Sequence, residues 1–378
     1  MFPFSAIVGQ EEAKLALLLS AVDPEIGGVL LSGVKGTGKS TLVRSFAAIL
    51  PEIDVVEGCP YHCDPSSERG LCEKCKRRSD SGEELPLISF SPRIITVPLG
   101  TTEDRLLGTI DVEKMLREGE AHFEPGLLAE ANNQVLYIDE VNLLPDNITD
   151  DILDSVAIGF NTIEREGLSI VHPANFSLVG TMNPEEGQLR PQILDRFALS
   201  VKIDTVKKPQ LREVIVERAI SYSFAREKFE RAFAKSDHIL KERIEEGRNN
   251  LKDIKIPGWA IKSVATAMSQ LGVDGQRPDI VAIKSAIAYA ALEGDSRVDK
   301  EHLKKSVPMA VCHRTRNGGF DPPATPEETV AALDESINTV KKGESKTESM
   351  ILSAFADHAL RSAIAAIENE SKEVKKNG

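Results

Sequence analysis

Residues 29 to 40 read Val29-Leu30-Leu31-Ser32-Gly33-Val34-Lys35-Gly36-Thr37-Gly38-Lys39-Ser40, which is an apolar run, a G-x-x-x-x-G-K-S loop and the start of a helix. This order constrains the fold strongly, because such a loop works only where a strand delivers it and a helix begins behind it with free amide groups aimed at one anion. Gly33, Gly36 and Gly38 let the backbone make that turn, and Val34, Lys35, Thr37 and Thr41 complete the stretch expected to line a nucleotide. Lys39 is placed to reach the β- and γ-phosphates of ATP, and the Ser40 hydroxyl to ligate its Mg²⁺. Leu42, Val43, Phe46, Ile49 and Leu50 follow at helical spacing, the context that the motif requires.

The rest of the chain narrows the class. With 378 residues and 41% apolar content it can bury a full core and divide into more than one unit. No apolar run approaches the ~20 residues needed to span a bilayer, and Met1-Phe2-Pro3-Phe4-Ser5 does not resemble a signal peptide, so the cytoplasm is the expected location. A net charge of -13 argues against broad affinity for nucleic acid, which depends on neutralising phosphates with Lys and Arg.

Strands are expected at Val29 to Leu31, Arg93 to Val97, Val135 to Ile138, Phe176 to Val179 and Leu199 to Ile203, alternating with helical stretches in the manner of a parallel sheet covered on both faces. From Pro209 the pattern becomes helical: Leu211 to Phe224, Arg226 to Glu246, Ala260 to Leu271 and Asp279 to Leu292. The expected division is an αβα core at 1–208, a helical lid at 209–316, and a linker with a helical tail at 317–378, the tail including helices at Pro326 to Lys341 and Ser349 to Lys372. Within the core, insertions are expected at 57–80, 100–128 and 159–175; the last alternates about a Gly-containing turn and reads as a projecting hairpin.

At the end of an apolar strand, Val135-Leu136-Tyr137-Ile138-Asp139-Glu140 supplies two carboxylates. Phosphoryl transfer to water needs a held metal and an oriented nucleophile, so Asp139 is the candidate Mg²⁺ holder and Glu140 the residue that polarises water.

With these motifs in place, the chain resembles the AAA+ ATPases of the helix-2-insert group. Leu178-Val179-Gly180-Thr181-Met182-Asn183-Pro184 resembles the sensor-1 strand, implying that Asn183 bonds the γ-phosphate or the attacking water. Arg190-Pro191-Gln192-Ile193-Leu194-Asp195-Arg196-Phe197 resembles the arginine-finger helix, implying that Arg196 acts on ATP in a neighbouring subunit; Arg190 is the second candidate, and a surface salt bridge the plainer reading. Gly275-Gln276-Arg277-Pro278-Asp279 resembles sensor 2, with Arg277 reaching the γ-phosphate in its own subunit or across an interface. Ile7-Val8-Gly9-Gln10 resembles the segment beside the adenine.

Within that group the chain resembles the ATPase subunit of magnesium chelatase over residues 4 to 315. The phrases that carry this are Gly108-Thr109-Ile110-Asp111 with Phe123-Glu124-Pro125-Gly126-Leu127-Leu128, then Asp139 to Leu144, then Asn161 to Gly167 with Ser169 to Pro173, and finally Thr181 to Gly187. The resemblance implies a hexameric ring that hydrolyses ATP and drives two partners: a second AAA+ subunit with an integrin-like metal-binding domain, and a large subunit that binds protoporphyrin IX and inserts Mg²⁺. A cobalt chelatase motor of cobalamin synthesis, and a chaperone for another metalloenzyme, are the alternatives. A nucleic-acid motor is disfavoured by the acidic balance.

Two features depart from that family's photosynthetic pattern: a cysteine cluster and the helical tail after Pro326, which has no assignment. Cys59, Cys63, Cys72 and Cys75 form C-x₃-C and C-x₂-C pairs able to close a tetrahedral site, for which structural Zn²⁺ is the expected occupant. An iron–sulfur cluster and free thiols are the alternatives, and His62 is a substitute ligand. Their place in the chain suggests a peripheral staple. His122, His172 and His313 are isolated and read as ordinary core or surface residues.

Overall fold

In the computed structural model, which describes residues 1–66, 70–111, 122–165 and 168–343, the apolar run before the glycine loop becomes β1, Val29–Ser32. The further strands are β2 (Ile53–Val56), β3 (Leu87–Phe90), β4 (Ile94–Val97), β5 (Gly108–Asp111), β6 (His122–Pro125), β7 (Val135–Ile138), β8 (Phe160–Arg165), β9 (Leu168–Pro173), β10 (Ser177–Met182) and β11 (Leu199–Lys202). Five of them make one sheet in the order β11-β1-β10-β7-β4, parallel throughout. The expected strands are the ones that pair. This is the expected αβα core, a parallel five-stranded sheet flanked by helices, followed by a smaller all-helical lid.

Period-two alternation decides what each face of the sheet packs against. Val29 and Leu31 of β1, Val135 and Tyr137 of β7, and Val179 of β10 join Leu17 and Leu19 of the helix Glu11–Val22 and Leu42, Val43 and Phe46 of the phosphate-loop helix Lys39–Ala47. Leu30, Leu136, Ile138 and Leu178 point the other way, onto Ile148, Ile152 and Leu153 of the helix Asp146–Ile158. With both faces covered, these strands bury every side chain except at their ends.

Three antiparallel pairs stand outside the sheet: β2 with β3, β5 with β6, and β8 with β9. The last is the hairpin expected before sensor 1, and β5–β6 lies in the expected helix-2 insertion, whose residues 112–121 fall outside the described ones.

The lid comprises the helices Pro209–Phe224, Arg226–Asn250, Gly258–Leu271, Arg277–Glu293, Lys300–Val311 and Pro326–Gly343. The helix Lys300–Val311, which carries Pro308, is not among the expected ones. Pro308 sits in the third turn, and Asp299 starts the helix strongly by accepting from His302 N–H while His302 Nδ1 accepts from Asp299 N–H. The structure also differs at the far end. Pro326–Gly343, expected to open a tail beyond a linker, packs on Gly258–Leu271 and buries Leu333 and Ile337, so it is part of the lid body. The expected helix at Ser349 to Lys372 lies outside the described residues.

Gly33 is fixed by space rather than by its torsions. Strand β11 runs so close that a Cβ on Gly33 would stand 2.3 Å from the Ile203 carbonyl oxygen. Gly36 has φ +83° but nothing within 4 Å of its would-be Cβ. Gly33→Ala is therefore expected to cost about 1–3 kcal/mol through a backbone clash, and Gly36→Ala about 1–2 kcal/mol through left-handed strain alone. Urea unfolding of both variants, with the Gly33 change the more costly, checks this.

Candidate nucleotide site

Three neighbouring strands deliver candidate site residues at their carboxyl ends, where a doubly covered parallel sheet opens to solvent. The loop after β1 exposes Val34, Lys35 and Gly36, with Gly36 and Gly38 both at positive φ and Lys39 beginning the helix. Lys39 Nζ donates to the Gly33 carbonyl and, at 3.0 Å, to that of Val34. Partial burial lowers its pKa, and the charges of Asp139, Glu140 and Glu186 oppose that shift, so three carboxylates face this ammonium group. Ser40 lies beside Tyr137 and half-exposed; Thr41 is exposed on the first turn.

After β7, Asp139 is held by two hydroxyls. Tyr137 Oη and Thr181 Oγ1 each donate to Asp139 Oδ1 at 2.7 Å, and Thr181 Oγ1 also accepts from the Glu140 N–H at 3.3 Å. Burial, reinforced by the bond to Asp139, pushes the Tyr137 phenol up to about 12, so it stays a donor. Both hydroxyls engage the same oxygen, and no described residue bonds Oδ2, which fits a metal-facing role. Glu140 takes a left-handed conformation, φ 57°, that turns its side chain away from the strand line. After β10, buried Asn183 accepts from the Glu185 N–H through Oδ1, and Asn142 donates to its carbonyl.

The segment Ile7 to Gln10 meets the loop from the other side. Gln10 Nε2 donates to the Thr37 carbonyl, Lys14 Nζ donates to the Ile7 carbonyl at 2.7 Å, and Val8 is half-buried between them.

The two arginine-finger candidates sit on one acidic stripe. Asp146, Asp150 and Asp154 recur every four residues along one helix face; Arg190 pairs with Asp146 at 2.7 Å, and Arg196 with Asp150 at 3.2 Å and Asp154 at 2.8 Å. Arg277, whose pKa burial lowers, donates to the Arg196 carbonyl at 2.8 Å, so the sensor-2 and finger candidates are adjacent within one chain.

Sequence reasoning missed what holds that arrangement. Arg314, with a fully buried side chain, donates to the Asp195 carboxylate at 2.8 Å, to the Asp195 and Ala198 carbonyls, and to its own helix at Ala310. His313, read as an isolated residue, donates to the Phe197 carbonyl through Nε2 at 2.9 Å. A basic pair directly after an apolar helix was the available signal.

The four cysteine sulfurs lie within 4.8 Å of one another, with Cys63, Cys72 and Cys75 buried. His62 is not among them; its ring stacks on Phe90 at 4.5 Å.

The family model "Magnesium chelatase, subunit ChlI" matches residues 3–63 and 111–192, and the model "AAA lid domain" matches 261–336. The magnesium-chelatase subunit ChlI homolog of Methanocaldococcus jannaschii is 44% identical over 346 residues, 92% of this chain and 93% of that protein. The magnesium-chelatase subunit ChlI of Mesostigma viride is 45% identical over 346 residues, 92% of each. The chain belongs to the magnesium chelatase ChlI family. A solved assembly of subunits BchI and BchD of magnesium chelatase includes a chain 44% identical to it, covering 87% of this ChlI-family chain and 99% of that one, at a TM-score of 0.49. No helix among the described residues is long and apolar enough to cross a membrane.

The lid junction has a pH dependence. Burial, aided by the charge of Arg314, pushes the His313 pKa down from 6.5 to about 3, and its buried Nδ1 has no partner for a second proton. As pH falls below 6.5 the unfolded chain takes this proton first, so the stability contribution is complete above 6.5 and declines at about 1.4 kcal/mol per pH unit on acidification. His313→Gln retains a donor for Phe197 and is expected to make the loss of stability between pH 6.5 and 4.5 shallower. Urea midpoints across that range check it, and an unchanged slope would refute a neutral buried His313.

Proposed function

We propose that this ChlI-family chain is the ATP-hydrolysing motor subunit of a magnesium chelatase, driving Mg²⁺ insertion into protoporphyrin IX by a partner catalytic subunit. The observation that carries the reading is the delivery of Lys39, Asp139 and Asn183 by adjacent parallel strands, with Asp139 already oriented by Tyr137 and Thr181. Cobalt insertion and a chaperone role gain no support from the relatives. The proposed partners are further copies of this chain in a hexameric ring, a second AAA+ subunit with an integrin-like domain, and the large tetrapyrrole-binding subunit, all in the cytoplasm. Exposed Leu211, Ile215, Ile220 and Phe224 on the helix Pro209–Phe224, which buries no residue, favour self-association.

In this reading the amides of Gly33 to Lys39 cradle the phosphates of ATP, and Val8 borders its base. Lys39 exchanges its two loop carbonyls for the β- and γ-phosphate oxygens. Ser40 and Asp139 hold Mg²⁺, which supplies charge neutralisation of the triphosphate when bound. Glu140 orients and polarises the attacking water, and Asn183 bonds the same water or the γ-phosphate. Arg196 and Arg277, adjacent here, are presented together to the nucleotide of a neighbouring subunit, where the guanidinium groups stabilise charge as the terminal bond breaks. Structural Zn²⁺ is assigned to Cys59, Cys63, Cys72 and Cys75, a reading supported by the sulfur separations.

Lys39→Ala is expected to abolish ATP binding. Glu140→Gln should retain binding and lose hydrolysis by roughly 10²–10⁴-fold, and normal turnover would reject it as the catalytic carboxylate. Arg196→Ala should bind ATP normally and hydrolyse it roughly 10³-fold more slowly. Mixing Arg196→Ala with Glu140→Gln subunits should restore part of the activity, because intact fingers then face intact sites; no recovery would reject action between subunits.

A further inference from the structure

The four-cysteine site is tied to more of the molecule than its position in the chain suggests. A single metal with sulfur ligands at about 2.3 Å sets tetrahedral ligands about 3.8 Å apart. Cys59 Sγ lies 3.4 Å from Cys63 Sγ and 3.9 Å from Cys72 Sγ, and all four sulfurs fall within 4.8 Å. An iron–sulfur cluster, whose thiolates bind different irons, would hold them further apart. Cys63 Sγ also accepts the Cys72 N–H at 3.0 Å, a bond suited to a metal thiolate. Among the described residues, Val56, Tyr61, Leu71 and Leu85 are the apolar side chains packed around these sulfurs, too little apolar surface to fold a knuckle unaided.

The knuckle is docked at three points. Asn132 Nδ2 donates to the Tyr61 carbonyl at 2.7 Å, and Asn133 Nδ2 to the His62 carbonyl at 2.9 Å. Asn132 Oδ1 accepts from the Asn175 N–H at 2.8 Å, so the residues entering β7 also grip the chain between β9 and β10. The third point is the Tyr61 ring, stacked on the His172 ring of β9 with centroids 5.1 Å apart and planes 18° from parallel.

His172 is the hub. It is 1% exposed, and its two nitrogens have a self-consistent neutral assignment: Nδ1–H donates to the Pro173 carbonyl at 3.0 Å, and Nε2 accepts from Asn161 Nδ2 at 3.1 Å. Asn161 belongs to β8 and also reaches the Leu107 carbonyl at 3.5 Å, immediately before β5, and the Phe123 ring of β6 flanks the imidazole. One buried ring therefore joins the base of the β8–β9 hairpin to the β5–β6 pair, with Tyr61 of the cysteine knuckle stacked on it.

We infer that zinc held by Cys59, Cys63, Cys72 and Cys75 braces the base of the β8–β9 hairpin through the Tyr61–His172 stack, with Tyr61 as the positioning residue. This rests on the zinc reading above and extends it. Without the metal, Tyr61 loses the frame that presses it on His172, and the hairpin can move relative to the sheet.

The full chain, dialysed against a chelator of moderate affinity, is expected to carry one zinc per chain by elemental analysis; iron or no metal would overturn the metal reading. Hydrogen–deuterium exchange then separates the two ideas. Tyr61→Ala should retain its zinc while residues 160–165 and 168–173 exchange about two- to tenfold faster, the range one aromatic stack controls. Strands β1 and β7 should be unchanged, and Tyr61→Phe should restore wild-type exchange. Stripping zinc from the wild-type chain should accelerate the same segments. Hairpin exchange in zinc-loaded Tyr61→Ala equal to wild type would overturn the brace while leaving the metal site intact.

Discussion

A parallel sheet covered on both faces leaves one place where polar groups can meet a ligand, the carboxyl edge of its strands, and the glycine loop, Asp139, Glu140 and Asn183 all depend on that edge. The side chains of β1, β7 and β10 are buried between the helix layers, so polarity along them is costly. Among the polar residues they carry, Tyr137 and Thr181 are tolerated because each spends its hydroxyl on Asp139. The same bonds join β7 to β10 and fix one carboxylate oxygen, leaving the other presented at the edge. Packing and chemistry are therefore one arrangement: a loss of register between these strands would misplace the carboxylate and strand two buried hydroxyls together.

A second buried polar group links that edge to the lid. Arg314 carries its charge into the interior, where an unpaired guanidinium would be very unfavourable. Asp195 and three backbone carbonyls satisfy it, and two of those carbonyls belong to Asp195 and Ala198, on either side of Arg196 and Phe197. His313 takes the Phe197 carbonyl and Arg277 that of Arg196. The lid thus holds four consecutive residues around the finger candidate by their backbone, leaving the Arg196 side chain to make other contacts. Rotation of the lid would therefore carry this segment with it.

The parts of this design legible in the sequence are those whose partners are close along the chain. The phosphate loop declares itself because glycines, lysine and helix are contiguous, and the cysteine site because its pairs fall within 17 residues, Cys59 to Cys75. The anchoring of Asp139 is invisible there, since Thr181 lies 42 residues away, and the Arg314–Asp195 pair spans 119. Patterning picks out candidates whose partners are close in sequence and misses the distant contacts that hold them. His172 illustrates the limit: it has no ligand-like neighbour in sequence, and it becomes a junction only when β8, β9, the knuckle and the region beside β5 are folded around it. Lys300–Val311 differs in that it holds Pro308 inside a helix sustained by a strong start and by the buried packing of Leu303 and Val307.

The acidic stripe beneath the arginines bears on how a finger can be both ordered and available. Asp146, Asp150 and Asp154 occupy one helix face at four-residue spacing, and they hold Arg190 and Arg196. The Arg196 side chain is 34% exposed and its partners 45% and 61%, a setting in which ion pairs contribute about 0–1 kcal/mol. That is enough to restrict the guanidinium to one region and too little to compete with a triphosphate, whose charge is denser and whose surroundings in a closed interface exclude water. A finger buried in a strong pair would resist transfer, and an unpaired one would lose side-chain entropy on every engagement. Weak pairing on an exposed stripe avoids both penalties, so under the proposed function the negative helix face is a holding position for the arginine.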